Sequence, residues 1–317
     1  MEISAARYGG TSEEGNKILP GDRRPGGTAR CSSRSYHEPM HALGDANIQF
    51  CLQYGMLGEA LLVMFYFQLG EPLAYCHQAA CQWHEKSIMQ EQNTIINLFQ
   101  PTIQAVANLY GKSEDAFLLT GTFVNETDYV KKAHHDNNLI GLVMLFTSKA
   151  MVAFYLSEFE LAEDFIRRSI ELKHAMNMAA TLHFLQLFIE GMAGLAIAKP
   201  NVRRAKANIR RLKGFARHAP TVLSDKIALL EAEVAAANGR YDLAHEKFEI
   251  AIAVAQRNGS IQEHALACER ASVFMSRCGK LADAARYLSE AMELYAKWGC
   301  DLKVRKIKKM LAAASAK

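Results

Sequence analysis

The sequence predicts an all-α fold of antiparallel helical hairpins, and three observations carry that prediction. A glycine falls at every twentieth position late in the chain, at Gly239, Gly259, Gly279 and Gly299, a spacing that marks repeating units of about forty residues. Between these glycines lie LAHEKFEIAIAVAQ and LADAARYLSEAMELYAK, with apolar or small residues at helical spacing. From Gly44 onward the prolines are Pro72, Pro101, Pro200 and Pro220. All but Pro101 sit where a helix should begin or end.

Shifted by one repeat, the two segments align. Gly239 falls on Gly279, Tyr241 on Leu281, Ala244 on Ala284, Phe248 on Leu288 and Ala251 on Ala291. The order Gly-x-(Tyr/Leu)-x-x-Ala-x-x-x-(Phe/Leu)-x-x-Ala resembles the second helix of a tetratricopeptide repeat (TPR). Small alanines let two helices approach, the aromatic or leucine fills the groove between them, and the glycine ends the preceding helix at positive φ. The expected architecture is a TPR-like α-solenoid over 44–317.

Each element follows in order. Residues 1–43 are rich in glycine, proline and arginine and lack apolar periodicity, so they predict a disordered tail that cannot offset its ordering entropy. A first helix is predicted over Asn47 to Gln68, ending at Gly70-Glu71-Pro72, and a second from Leu73 to Met89. A third covers Gln92 to Leu109, with Pro101 as a possible kink. An irregular polar stretch over 111–138 contains a short helix near Glu126 to Lys132. Leu139 to Leu156 and Phe159 to Leu172 form the next pair, with Ser157 in place of the turn glycine and Ala162, Ile166 and Ser169 in register. Met178 to Ala198 and Val202 to Ala216 pair across Pro200, the latter with Ala205, Ile209 and Leu212 inward. Then come Thr221 to Asn238, Tyr241 to Arg257, Ile261 to Cys278 and Leu281 to Lys297. Ser260 and Glu263 have the spacing of a capping box. The last helix, over 302–314, carries Lys303, Arg305, Lys306, Lys308 and Lys309 as a terminal cap with a solvated face would.

Half of the 317 residues are hydrophobic and the net charge is +4, enough apolar material for a large core and too little charge to single out a nucleic acid or membrane as partner of the whole chain. The seven cysteines form no disulfide-framework spacing, which predicts a reducing, cytoplasmic setting. The opening residues carry glutamates and glycines where a secretory signal needs an apolar core. The greasiest runs, Ala60 to Phe67 and Leu139 to Phe146, are too short to span a bilayer.

The span from Gly44 to Leu311 resembles the helical-repeat region that follows the AAA-like ATPase module of large serine/threonine-kinase and sensor histidine-kinase signalling proteins. The residues that carry this are Gly70-Glu71-Pro72-Leu73, Arg217-His218-Ala219-Pro220, Gly239-Arg240-Tyr241, Ala251-Ile252-Ala253-Val254-Ala255, Glu263-His264-Ala265-Leu266-Ala267, and Leu294-Tyr295-Ala296-Lys297-Trp298-Gly299 followed by Lys303-Val304. The resemblance implies a non-catalytic segment linking a nucleotide-driven switch to an output domain. The chain has no His-Arg-Asp kinase loop, no Asp-Phe-Gly and no histidine-kinase nucleotide box.

Candidate sites are few. Gly111-Lys112-Ser113 ends like a P-loop, but Val106 stands where the first glycine should be and a helix precedes it. His77, Cys81 and His84 fall on one helical face, as three soft zinc ligands or as a core stripe continuing through Leu73 and Ile88. His134 and His135 diverge on a helix and read as solvated. Tyr295 and Trp298 read as packing for the capping helix. The segment 199–217 carries Arg203, Arg204, Lys206, Arg210, Arg211, Lys213 and Arg217 with no acid among them. It is either a solvated outer face or an electrostatic docking surface for an acidic protein segment. Phe215 alone interleaves it, which disfavours single-stranded nucleic acid. The sequence thus predicts a non-enzymatic protein-interaction or relay module, with no catalytic residue, metal or cofactor and with Arg203 to Arg217 as the partner-binding face. The alternatives are binding of nucleic acid or an anionic surface through 199–217, and a metal-dependent enzyme using His77, Cys81 and His84.

Overall fold

The structure, a computed structural model, describes residues 54–172 and 180–315. The chain divides into two units, Met1–Ile48 and Gln49–Lys317, and every described residue lies in the second. The predicted tail over 1–43, the start of the first helix and the start predicted at Met178 lie outside the described residues. The described residues form helices and no strand: α1 (54–69), α2 (Leu73–Met89), α3 (Asn93–Leu109), α4 (Glu126–His135), α5 (Leu139–Tyr155), α6 (Phe159–Glu171), α7 (Ala180–Ala196), α8 (Val202–Ala216), α9 (Pro220–Ala237), α10 (Tyr241–Asn258), α11 (Ile261–Arg277), α12 (Leu281–Trp298) and α13 (Asp301–Ser315).

Helix ends follow local chemistry. Gly239, Gly259, Gly279 and Gly299 all have positive φ, the left-handed conformation that stops a helix at least cost when no Cβ is present. Ser157 occupies the same conformation at φ +57°, as its alignment with the turn glycines predicts. Asn125, Asn138 and Asn201 cap α4, α5 and α8, each side chain accepting from a backbone N–H of the first turn. Pro101 lies inside α3 and has no N–H for the carbonyl of Asn97. The Tyr129 hydroxyl donates to that carbonyl at 2.7 Å, so a side chain from α4 replaces the missing backbone bond.

The packing has two layers. Helices α3, α5, α7, α9 and α11 each touch the next of the set, while α6, α8, α10 and α12 pack against the helices on either side. The outer helices bury one stripe each: Ala162, Ile166 and Ser169 on α6, Ala205, Ile209 and Leu212 on α8, Ala244, Phe248 and Ala251 on α10, and Ala284, Leu288 and Ala291 on α12. These are the small and apolar positions that the repeat alignment picks out. Inner helices differ in kind, since α5 and α11 are buried almost all round.

That difference matters, because in an open solenoid the inner helices would line a concave groove. Here the end of α1 reaches across to α5, α11 and α12. Gln262 at the start of α11 donates to the carbonyls of Phe67 (3.0 Å) and Gln68 (3.2 Å) at the end of α1. Trp298, fully buried, lies 5.7 Å from the Phe67 ring and 5.3 Å from the Tyr155 ring, centroid to centroid. An aromatic of that size contributes about 4–6 kcal/mol of apolar burial. Tyr295 and Trp298 therefore tie α12 to α1, α5 and α11, and not only to the last helix as the sequence suggests.

Two further expectations, the capping box and the solvated Lys303, are corrected by the packing. Ser260 makes no capping bond; Glu263 instead points inward, where it accepts from the Tyr155 hydroxyl at 2.9 Å and lies 3.1 Å from Lys226 Nζ. Lys303 is not on a solvated face but fully buried, with Nζ 2.8 Å from Glu269. Its neighbour Lys306 donates to the Leu156 carbonyl at 2.9 Å and pairs with Glu158, which fastens α13 to the α5–α6 turn. Buried ammonium groups are retained here because each meets a carboxylate in a site shut off from water.

Candidate functional site

Helix α8 presents the basic segment, and its residues fall into two groups. Arg203, Lys206, Arg210 and Arg217 are exposed and form no ion pair with a described residue. Arg204 is turned inward, donating to Glu163 of α6 with Glu190 of α7 3.8 Å away. Arg211 donates to His183, and Lys213 reaches Glu231 of α9 at 2.7 Å. The seven basic residues predicted as partner-binding therefore split: Arg204 serves packing between α6, α7 and α8, and Lys213 bridges α8 to α9.

The exposed part opens onto a groove that the sequence pattern of α8 alone could not reveal. Lys206 and Arg210 line one wall, and Arg240 and Lys247 from the far side of the α9–α10 turn line the other. The floor is Ile209, Val234, Ala235 and Leu243. Glu231 is the acid among the lining residues, and both its oxygens are engaged, by Lys213 at 2.7 Å and by Lys247 at 2.8 Å. Burial works to raise the Glu231 pKa, but the two ammonium groups outweigh it and hold the carboxyl below its ordinary range. The groove thus offers cations over an apolar strip, with its own carboxylate already neutralised. Arg240 and Lys247 lie beyond α9 in sequence, and only the folding of α10 back along α9 brings them to α8.

The remaining sequence candidates have structural surroundings. His77 packs beside Tyr110 and Phe123, with ring centroids 5.5 and 5.8 Å apart, and His84 lies edge-on to Phe123 at 5.3 Å. Cys81 Sγ comes within 3.8 Å of His77 Nδ1, but His84 does not join them in a common ligand set. Burial lowers the pKa of both histidines, as expected for neutral rings in an aromatic cluster. Gly111-Lys112-Ser113 forms the turn after α3, where the Ser113 hydroxyl donates to the Asp115 carbonyl. His134 and His135 are exposed, and His135 pairs with Asp136.

Deep in the fold, Asp225, Lys226, Glu263 and Tyr155 form one polar cluster, and Glu269, Lys303, Tyr295 and Ser157 a second. Arg270 pairs with Glu233 at 2.5 Å beside them. All but the half-buried Ser157 are covered by helices, so they act as long-range fasteners between α5, α9, α11, α12 and α13. Among the described residues no helix is long and apolar enough to cross a membrane. No protein-family model, curated protein or solved structure matches this chain.

Proposed function

We propose that this chain is a non-catalytic protein-interaction module of TPR-like helical repeats that docks an acidic, amphipathic segment of a signalling partner in the α8–α10 groove. The observation that carries the reading is the pairing of four cations, Lys206, Arg210, Arg240 and Lys247, with the apolar floor between them. An extended or helical segment with carboxylates flanking an apolar stripe complements such a surface in both charge and shape. Burial of the faces that an open solenoid would offer as a concave groove directs the interaction to the outside of the array. The relay role, between a nucleotide-driven switch and an output domain, rests on the family resemblance of the C-terminal repeats.

The test uses a fluorescent amphipathic peptide with glutamates on one face and leucines on the other. Binding to the full chain is expected to weaken by about tenfold or more when Lys206, Arg210 and Arg240 are reversed to glutamate. Arg204 is left unchanged, because its removal would strand the half-buried Glu163 and confound folding with binding. Equal affinity of the reversed and native chains would overturn the reading. Tighter binding of a single-stranded RNA, lost on the same reversal and falling steeply with salt, would replace the protein partner by nucleic acid.

A further inference from the structure

Helices α11 and α12 bring three metal-ligating groups together away from the basic groove. His264 and Cys268 stand one turn apart on α11, so their side chains leave the same face. Glu290 on α12 faces them. The imidazole nitrogen, the thiol sulfur and a carboxylate oxygen all lie within 4.8 Å of one another, and among the described residues they form the one such set.

The details fit an ion better than an ordinary hydrogen-bonded contact. His264 Nε2 and Glu290 Oε1 are 3.5 Å apart, and this buried nitrogen has no hydrogen-bond partner. His264 is 8% exposed and Cys268 is wholly covered. A tetrahedral zinc with bonds of about 2.0–2.3 Å needs ligand atoms about 3.3–3.8 Å apart. The nitrogen and carboxylate already have that separation, and modest side-chain rotation brings in the sulfur. Glu290 keeps 41% of its side chain exposed, which leaves an approach from solvent.

A divalent cation would displace the thiol proton of Cys268, and the thiolate and carboxylate together cancel its charge. A thiolate with an imidazole selects a borderline-soft ion over magnesium or calcium. We propose that His264 Nε2, Cys268 Sγ and the Glu290 carboxylate bind a divalent ion of the zinc class, with water in the fourth, solvent-facing position. The ion would clamp the first half of α11 to the middle of α12.

The test is cobalt uptake by the purified full chain after chelator treatment, followed by absorbance, with zinc as competitor. One equivalent of cobalt is expected to give a sulfur-to-cobalt charge-transfer band that zinc abolishes. Cys268→Ala is expected to lose the band while Cys81→Ala keeps it. Because Cys268 is buried and its variant could misfold, Glu290→Gln provides a second arm at a half-exposed position. Its zinc affinity is expected to fall by about tenfold or more with the circular dichroism of the native chain. A native chain without the band, a band that survives in Cys268→Ala or is lost in Cys81→Ala, or unchanged zinc affinity in Glu290→Gln would each overturn the assignment.

Discussion

Docking of the first hairpin on α11 makes Gly70 the most informative single position. Its φ is +91°, and a Cβ built there would lie 2.4 Å from Gln262 Oε1, 2.6 Å from the Ile261 nitrogen and 2.8 Å from Ser260 Cα. Two of those atoms are backbone and cannot swing aside. Gly239 supplies the control, since its φ is +70° and a Cβ there meets nothing within 4 Å. Alanine at Gly239 should therefore cost only the left-handed penalty, about 1–2 kcal/mol. Alanine at Gly70 bears the same penalty and must also lift the α1–α2 turn by about 1 Å to restore normal contact distances. That movement strains the two bonds from Gln262 to Phe67 and Gln68 and adds about 2–3 kcal/mol of overpacking. The expected losses are about 3–5 kcal/mol for Gly70→Ala against about 1–2 for Gly239→Ala. Urea unfolding measures the difference, and hydrogen exchange across 54–69 reports any local release of the hairpin. Losses equal within about 0.5 kcal/mol, with unchanged exchange in α1, would refute the docking of this turn against α11.

Two further tests address buried and half-buried charge. Lys303→Met leaves the Glu269 carboxylate buried with only the neutral donors Tyr295 and Ser157. It is expected to cost about 3–5 kcal/mol in urea unfolding. Adding Glu269→Gln to Lys303→Met should recover part of that loss, and simple additivity of the two single losses would argue against the pair. At Glu231 the folded pKa is lowered, so its contribution to stability is present above the unfolded value of about 4.3 and is lost as pH falls through the folded pKa. Acid unfolding of Glu231→Gln should consequently differ from the native chain at neutral pH and converge with it below the ordinary glutamate range. The same substitution frees Lys213 and Lys247 and is expected to strengthen binding of the acidic peptide, as read by fluorescence anisotropy.

Helix limits were legible because the information that sets them is local. Predicted bounds for α2 and α8 coincide with those observed, and the other described helices differ by a residue or two at most ends. A positive-φ glycine, a serine in its place at Ser157, and a stripe of alanines one turn apart each act within a few residues of chain. The candidate groove was half legible: Arg210 and Lys206 stand out in a segment free of acids, but Arg204 looks the same in sequence and is spent on Glu163. A guanidinium's use depends on which acid the next helix places beside it.

The sequence alone determined that the described chain is all-helical, where most of its helices begin and end, and which stripe of each outer helix turns inward. Tertiary structure decided that the first and last hairpins meet, that Lys303 and Glu263 are interior rather than solvated or capping, and that Arg240 and Lys247 complete the surface begun by α8. It also decided that Glu290 faces His264 and Cys268. The reason is one of range. Tyr155 and Glu263 are 108 residues apart in the chain, and a pairing at that distance is fixed by how every intervening helix stacks, whereas periodicity and turn chemistry record only neighbours.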